Sequence, residues 1–267
     1  MRWFLRLVFV LLISCAPRFG DFARAGAFMQ PVGGWQIIQT LRFTGSATGF
    51  GADGRITPLP LYQKYELQTY LEYGLTDWLT LIAQPTLSRI FADGNPWGLA
   101  LGITSVEAGA RAKIAQFNDI VFSAQATAKI PTARDRTNPA LFGNTGEEFD
   151  FRLLAGKPFE LAGFTGFVDA QSGSRLRRDG PPDEIRLDLT IGFRPLPRLT
   201  FLAQSFNIIA PSAGQPGFPA MRQHKIQGSL VWDLSQSVSL QSGLFTTIAS
   251  RKARREQGFV SGFWYRF

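Results

Sequence analysis

"EIRLDLTIGFR" occupies residues 184–194, and its side chains fall into two sets. Ile185, Leu187, Leu189, Ile191 and Phe193 alternate with Arg186, Asp188, Thr190, Gly192 and Arg194. A period of two puts each set on its own face of a β-strand, so one face asks for an apolar environment and the other for a polar one. What remains is to decide which face points inward, and one strand cannot answer that.

The same alternation runs through the chain. "IVFSAQATAKI" sets Ile120, Phe122, Ala124, Ala126, Ala128 and Ile130 against Ser123, Gln125, Thr127 and Lys129. "KYELQTYLEY" sets Tyr65, Leu67, Thr69, Leu71 and Tyr73 against Lys64, Glu66, Gln68, Tyr70 and Glu72. Twelve segments read this way: 34–47, 61–74, 78–91, 99–116, 120–132, 147–156, 163–176, 183–195, 199–210, 223–233, 238–250 and 257–267. The ninth, "LTFLAQSFNI", is ambiguous in its facing. Tight connections are expected near Thr76-Asp77, Asn118-Asp119, Lys157-Pro158, 195–198 and 233–236. Longer ones, rich in Gly, Pro and Asp, are expected at 48–60, 92–98, 133–146, 177–182, 211–222 and 251–256.

Short and long connections in alternation, with an even strand count, are the pattern of a bacterial outer-membrane barrel, whose turns face the periplasm and whose loops face outward. A soluble sandwich or lipocalin-like barrel would also alternate, with its apolar face inside. Length favours the membrane, because several segments exceed the roughly 9–11 residues of a tilted crossing. The expected fold is therefore all-β: a transmembrane up-and-down antiparallel β-barrel of about 12 strands. Its site is the outer membrane, and its expected partners are the lipid bilayer and the outer-membrane assembly machinery.

Both ends of the chain fit an exported protein. "MRWFLR" carries two Arg, "LVFVLLIS" is apolar, and "ARA" at 23–25 has the small–x–small form of a cleavage site. The division is thus a signal peptide at 1–25 and a barrel at 26–267. Lipidation at Cys15, within "LISC", is the competing maturation route. Cys15 is the sole cysteine, so no disulfide forms and thiol chemistry is excluded from the mature chain. The C-terminal "SGFWYRF" sends Phe263, Tyr265 and Phe267 to one face, with the final ring in the interfacial aromatic girdle. It resembles the C-terminal signal of bacterial outer-membrane proteins.

The formal charge of the 267 residues is +8. Without residues 1–25, 24 basic and 19 acidic side chains leave +5, spread along the chain. No basic face or motif concentrates that excess, so nucleic acid is not an expected partner. If the charged face is the lumen, its candidate residues are Arg111, Lys113, Lys129, Asp150, Arg152, Asp169, Arg175, Arg186 and Asp188. They can form a cross-strand network that rigidifies the interior, or a path with a weak preference for anions; twelve strands lie between the filled and the open barrel. No cofactor or metal site is expected. An outer-membrane lipase would need His224, the sole histidine, beside Ser229 or Ser242, and nothing in the spacing requires that.

Two stretches carry a family resemblance. "GAFMQPVGGWQII" (residues 26–38) is similar to the "GAW-x-Q/L-P" opening of XagA-like outer-membrane proteins, with Phe28 where Trp is usual. Residues 167–206 resemble their hairpins, and those of the broader outer-membrane transporters linked to phenol meta-degradation; "YGLTDWLTL" (73–81) resembles a turn motif of that broader group. The resemblance implies a porin-like transport role, or a part in exopolysaccharide secretion or adhesion, with a small solute or polysaccharide secretion components as partners. It implies no catalytic residue. Asp169, Arg175, Asp183, Glu184, Arg186 and Asp188 fall on matched positions as implied lumen or rim residues.

Overall fold

The computed structural model describes residues 26–92, 100–132, 146–178 and 180–267. The expected leader (1–25), its cut after Ala25, Cys15, the connection at 93–98 and most of the one at 133–146 lie outside the described residues.

The strands are β1 (Trp35–Phe50), β2 (Ile56–Gly74), β3 (Leu79–Ala92), β4 (Ala100–Phe117), β5 (Ile120–Pro131), β6 (Glu148–Leu161), β7 (Phe164–Arg177), β8 (Glu184–Leu196), β9 (Leu199–Ala210), β10 (Met221–Asp233), β11 (Val238–Arg251), β12 (Ala253–Arg254) and β13 (Gln257–Arg266). From β1 to β11 each strand pairs antiparallel with the next, β11 pairs with β13, and β1 closes the sheet by pairing with both β2 and β13. The two-residue β12 pairs with the far end of β1 at Gly49 and Phe50, so it shares a wall position with β13. The result is a closed barrel of twelve wall positions. Within the closed wall every strand is paired on both sides, which a spanning sheet requires because lipid offers no hydrogen-bond partner.

The apolar face points outward. Leu187, Leu189 and Ile191 are exposed along β8, as are Phe122 and Ile130 on β5 and Phe201 on β9. Their polar neighbours Thr190, Ser123 and Thr127 are buried. A soluble barrel inverts that arrangement, since exposed apolar area costs about 25 cal/mol per Å² in water. At the short-connection end, Trp35 lies 4.6 Å from Tyr73 and stacks at 6.2 Å on Phe267, which lies 5.1 Å from Tyr265. The amide of Trp35 donates to the carbonyl of Phe267 at 2.8 Å, so the last residue is stitched to the first strand inside this aromatic girdle.

Two expectations change. The turn expected at Lys157-Pro158 lies at Ala162-Gly163, where φ values of 52 and 79° form the primed turn suited to a hairpin. Strand β6 runs on through Pro158 because β5 pairs with it only as far as Gly156. Beyond that point its outer edge is free, and the missing N–H of Pro158 costs no ladder bond. The connection expected at 48–60 shrinks to 51–55, because β2 begins at Ile56.

Candidate functional site

The interior has two layers, and both are built from inward positions of the alternating strands. Near the short turns, Val121, Leu154, Phe167, Leu202, Val231 and Trp264 break the polar pattern of the inner face with buried apolar side chains. Farther up the wall the inner face is charged.

The apolar ring receives the segment before β1. Residues 26–30 run inside the barrel, and residues 31–34 turn back into β1. Phe28 is buried against the ring and meets Phe167 edge-on at 6.4 Å. Polar contacts hold the rest of the segment. The Ala27 amide donates to Asp169 Oδ2 at 2.6 Å, and Ser123 Oγ donates to the Ala27 carbonyl at 2.6 Å. Arg111, 1% exposed, donates to the carbonyls of Gly26 and, at 2.8 Å, Phe28, and pairs with Glu72. Gln30 Nε2 donates to the other oxygen of Glu72 at 2.5 Å. The turn is seated on β2, where the Gly33 amide donates to the Gly74 carbonyl at 2.8 Å. A Cβ at Gly74 would overlap the Pro31 carbonyl, so the close crossing requires glycine there.

Above the segment, the charges form ladders across neighbouring strands. Arg152 donates to Asp150 at 2.6 Å and to Asp188 at 2.9 Å. Arg175 contacts Asp150 at 2.8 Å, Glu148 at 2.9 Å and Glu107 at 3.8 Å. Lys129 reaches Glu148 at 3.0 Å, Arg177 reaches Glu184 at 2.7 Å, and Arg186 reaches Glu184 at 2.8 Å. Removing the sole partner of a buried charge, as Arg152 is for Asp188, costs about 3–5 kcal/mol because the charge is left unpaired, whereas Glu148 and Asp150 each keep other cations.

All nine candidate residues read from the sequence lie on the inner face, in different roles. Arg111 and Asp169 grip the N-terminal segment. Lys129, Asp150, Arg152, Arg175, Arg186 and Asp188 belong to the ladders. Lys113 lies opposite inward-facing Ser123 and makes no ion pair among the described residues. Sequence reasoning passed over Glu148 and Arg177, which stand at the ends of segments where alternation is hard to phase, and the whole of residues 26–30. The signal for the latter was the apolar ring, since six inner-face positions near the short turns could be buried only by something placed inside.

Beside the ladders is a cavity of about 240 Å³ lined by Lys64, Glu66, Gln68, Gln84, Thr86, Ser88, Ile90, Thr104, Ser105, Glu107, Lys129, Arg175 and Arg186. Four cations and two carboxylates among these give its walls a positive balance.

His224 faces outward, and its Nδ1 donates to Asn207 Oδ1 at 2.6 Å. Ser229, named above as a possible companion, points inward and is buried beside Gln227. Leu230, the ladder partner of Ser242, lies six positions along the strand from His224. At about 3.3 Å per residue that is about 20 Å, so neither serine meets the imidazole.

Among solved structures, the chain is similar to the COG4313 outer membrane channel from Pseudomonas putida F1, with a TM-score of 0.71 at 14% identity, over 92% of this chain and 100% of that one. The fold is that of an outer-membrane β-barrel. The KdgM porin in complex with disordered oligogalacturonate matches with a TM-score of 0.52 at 9% identity, over 87% of this chain and 99% of that one. The NanC porin matches at 0.50 and 8%, over 84% and 98%. No family model matches the sequence, and no curated protein does. The bacterial outer membrane is where this barrel resides, and its exposed apolar belt is in contact with lipid there.

Proposed function

We propose that the barrel is a channel for small polar solutes, with a preference for anions, held shut at its periplasmic end by residues 26–30. The observation that carries this reading is how the segment is held. It joins the wall through side chains and a single apolar ring rather than through a β-ladder, so it can leave without breaking the sheet. The positive balance of the cavity supports the anion preference. KdgM, a structural neighbour, is a porin whose complex contains an acidic oligosaccharide. The test is planar-bilayer recording with reversal potentials in a salt gradient. Anion preference should fall when Lys129 and Arg186 are replaced by Gln, and it should weaken with salt as charges are screened beyond about 8–10 Å. Cation preference in the unaltered barrel would overturn the reading.

The ion-pair ladders favour a second reading, a sealed barrel in which paired charges fill the lumen for rigidity. An association with exopolysaccharide secretion rests only on the resemblance of residues 26–38 and 167–206 to XagA-like proteins. We read the chain as non-enzymatic, because His224 is engaged by Asn207 and meets neither candidate serine.

Maturation by cleavage after Ala25 belongs to the same proposal. Asp169 is 1% exposed and makes no ion pair among the described residues. A Cβ on Gly26 would overlap its carboxylate, so the α-ammonium that cleavage creates on Gly26 lies within ion-pair reach. A buried carboxylate needs such a partner. Recognition of the terminal Phe267 by the assembly machinery completes the expected route to the membrane.

A further inference from the structure

We propose that Arg222 and Arg251, side by side on the outer rim of the barrel, clasp a phosphate group of an anionic lipid in the outer leaflet. In the ladder between β10 and β11 the two residues are direct partners, and both are exposed. Both also share the lipid-facing side with Ile226, Leu230 and Trp232 of β10. They lie next to the long connections, which face outward in a bacterial barrel.

A β-bulge produces this arrangement. Lys225 pairs with Thr247, but His224 pairs with Ala249, so Ile248 is an extra residue. An unbulged ladder would place Ser250 opposite Arg222 and turn Arg251 into the lumen. The inserted residue moves a cation from the inside of the wall to the membrane side and sets it beside another. Like charges directly opposite one another repel, so the pair is unfavourable unless an anion lies between them.

Nothing described in the chain supplies that anion. Two other exposed arginines near the long connections have their own acids: Arg55 contacts Asp53 at 3.4 Å, and Arg178 contacts Glu147 at 3.5 Å. Neither Arg222 nor Arg251 makes an ion pair with a described carboxylate. Two guanidinium groups can present a fork of donors to one phosphate, and their position at headgroup depth on the outer wall selects a lipid. One step nearer the membrane, Asn207 and His224 satisfy each other at 2.6 Å, which keeps the polar patch continuous down to the apolar belt.

The test uses the purified full-length barrel in detergent, titrated with bisphosphorylated lipid A and followed by native mass spectrometry. Replacing Arg222 and Arg251 together by Gln should weaken binding by more than about tenfold, since each charge-assisted contact is worth about a factor of ten. The Arg55→Gln/Arg178→Gln barrel should bind within about twofold of the unaltered protein, because those residues already have partners. Heat-modifiable gel mobility verifies the fold of both variants. Lipid A stripped of phosphate should bind no better to the unaltered barrel than to the Arg222/Arg251 variant. The proposal is overturned by equal binding to both barrels, by an equal loss in the Arg55/Arg178 variant, or by retained affinity for the phosphate-free lipid. Displacement by an equal concentration of inorganic phosphate would assign the pair to a free anion and overturn the lipid reading.

Discussion

Truncating Phe28 should open the barrel without unfolding it. Its ring is 6% exposed and packs edge-on against Phe167, within the group formed by Val121, Leu202, Val231 and Trp264. Phe→Ala at such a site costs about 3–5 kcal/mol. In a sheet strand that loss would fall on the whole fold. Residues 26–30 form no ladder, so here it falls on the equilibrium between docked and released segment. A tenfold change corresponds to about 1.4 kcal/mol, so the ratio of released to docked forms should rise by more than about a hundredfold. Single-channel recordings of Phe28→Ala should show a matching increase in open time, with heat-modifiable mobility unchanged. Phe167→Ala removes the other ring of the same contact, and its effect should be less than additive with that of Phe28→Ala. If the open fraction of folded Phe28→Ala equals that of the unaltered barrel, the apolar ring does not hold the segment and the reasoning fails.

Three further outcomes follow from the wall. Leu189→Arg, at mid-height on the lipid face, should lower stability in denaturant titrations by about 2–4 kcal/mol, and Ile185→Arg near the rim by about 0–1; equal losses would contradict a membrane-spanning exterior. Gly74→Val should dislodge the turn at residues 31–34, since a Cβ there overlaps the Pro31 carbonyl, and protease should then cut near residue 30 faster than in the unaltered barrel. Deleting Phe267 should reduce the folded fraction recovered from outer membranes more than Arg266→Ala does, because the deletion removes the pairing with Trp35 as well as a girdle ring.

Most of the wall was legible because a period of two is strict and a one-residue slip inverts every side chain. β8 and β5 could be phased from their own residues, down to the inward positions of Thr190 and Ser123. β9 could not. It sends Ser205 and Asn207 outward while Phe206 faces in opposite Asp188 and Lys225, so both faces are mixed. Asn207 is tolerated outside because its amide donates to the Leu187 carbonyl at 2.6 Å and its carbonyl accepts from His224. The Pro158 turn was misplaced because strand pairing, which is invisible in a single sequence, decides where a free edge begins. The N-terminal segment was illegible for a related reason. Residues 26–30 have no period, and their meaning depends on six ring residues drawn from strands far apart in the chain.

The account stands or falls on whether residues 26–30 close an otherwise open lumen. The direct measurement is the bilayer conductance of a barrel lacking those five residues, compared with the intact protein, with both shown to be folded by heat-modifiable mobility. The account predicts a sustained open level in the shortened barrel and brief, rare openings in the intact one. Equal, near-zero conductance in both would mean that the paired charges of the wall seal the lumen by themselves, and it would contradict the claim that the N-terminal segment is the stopper.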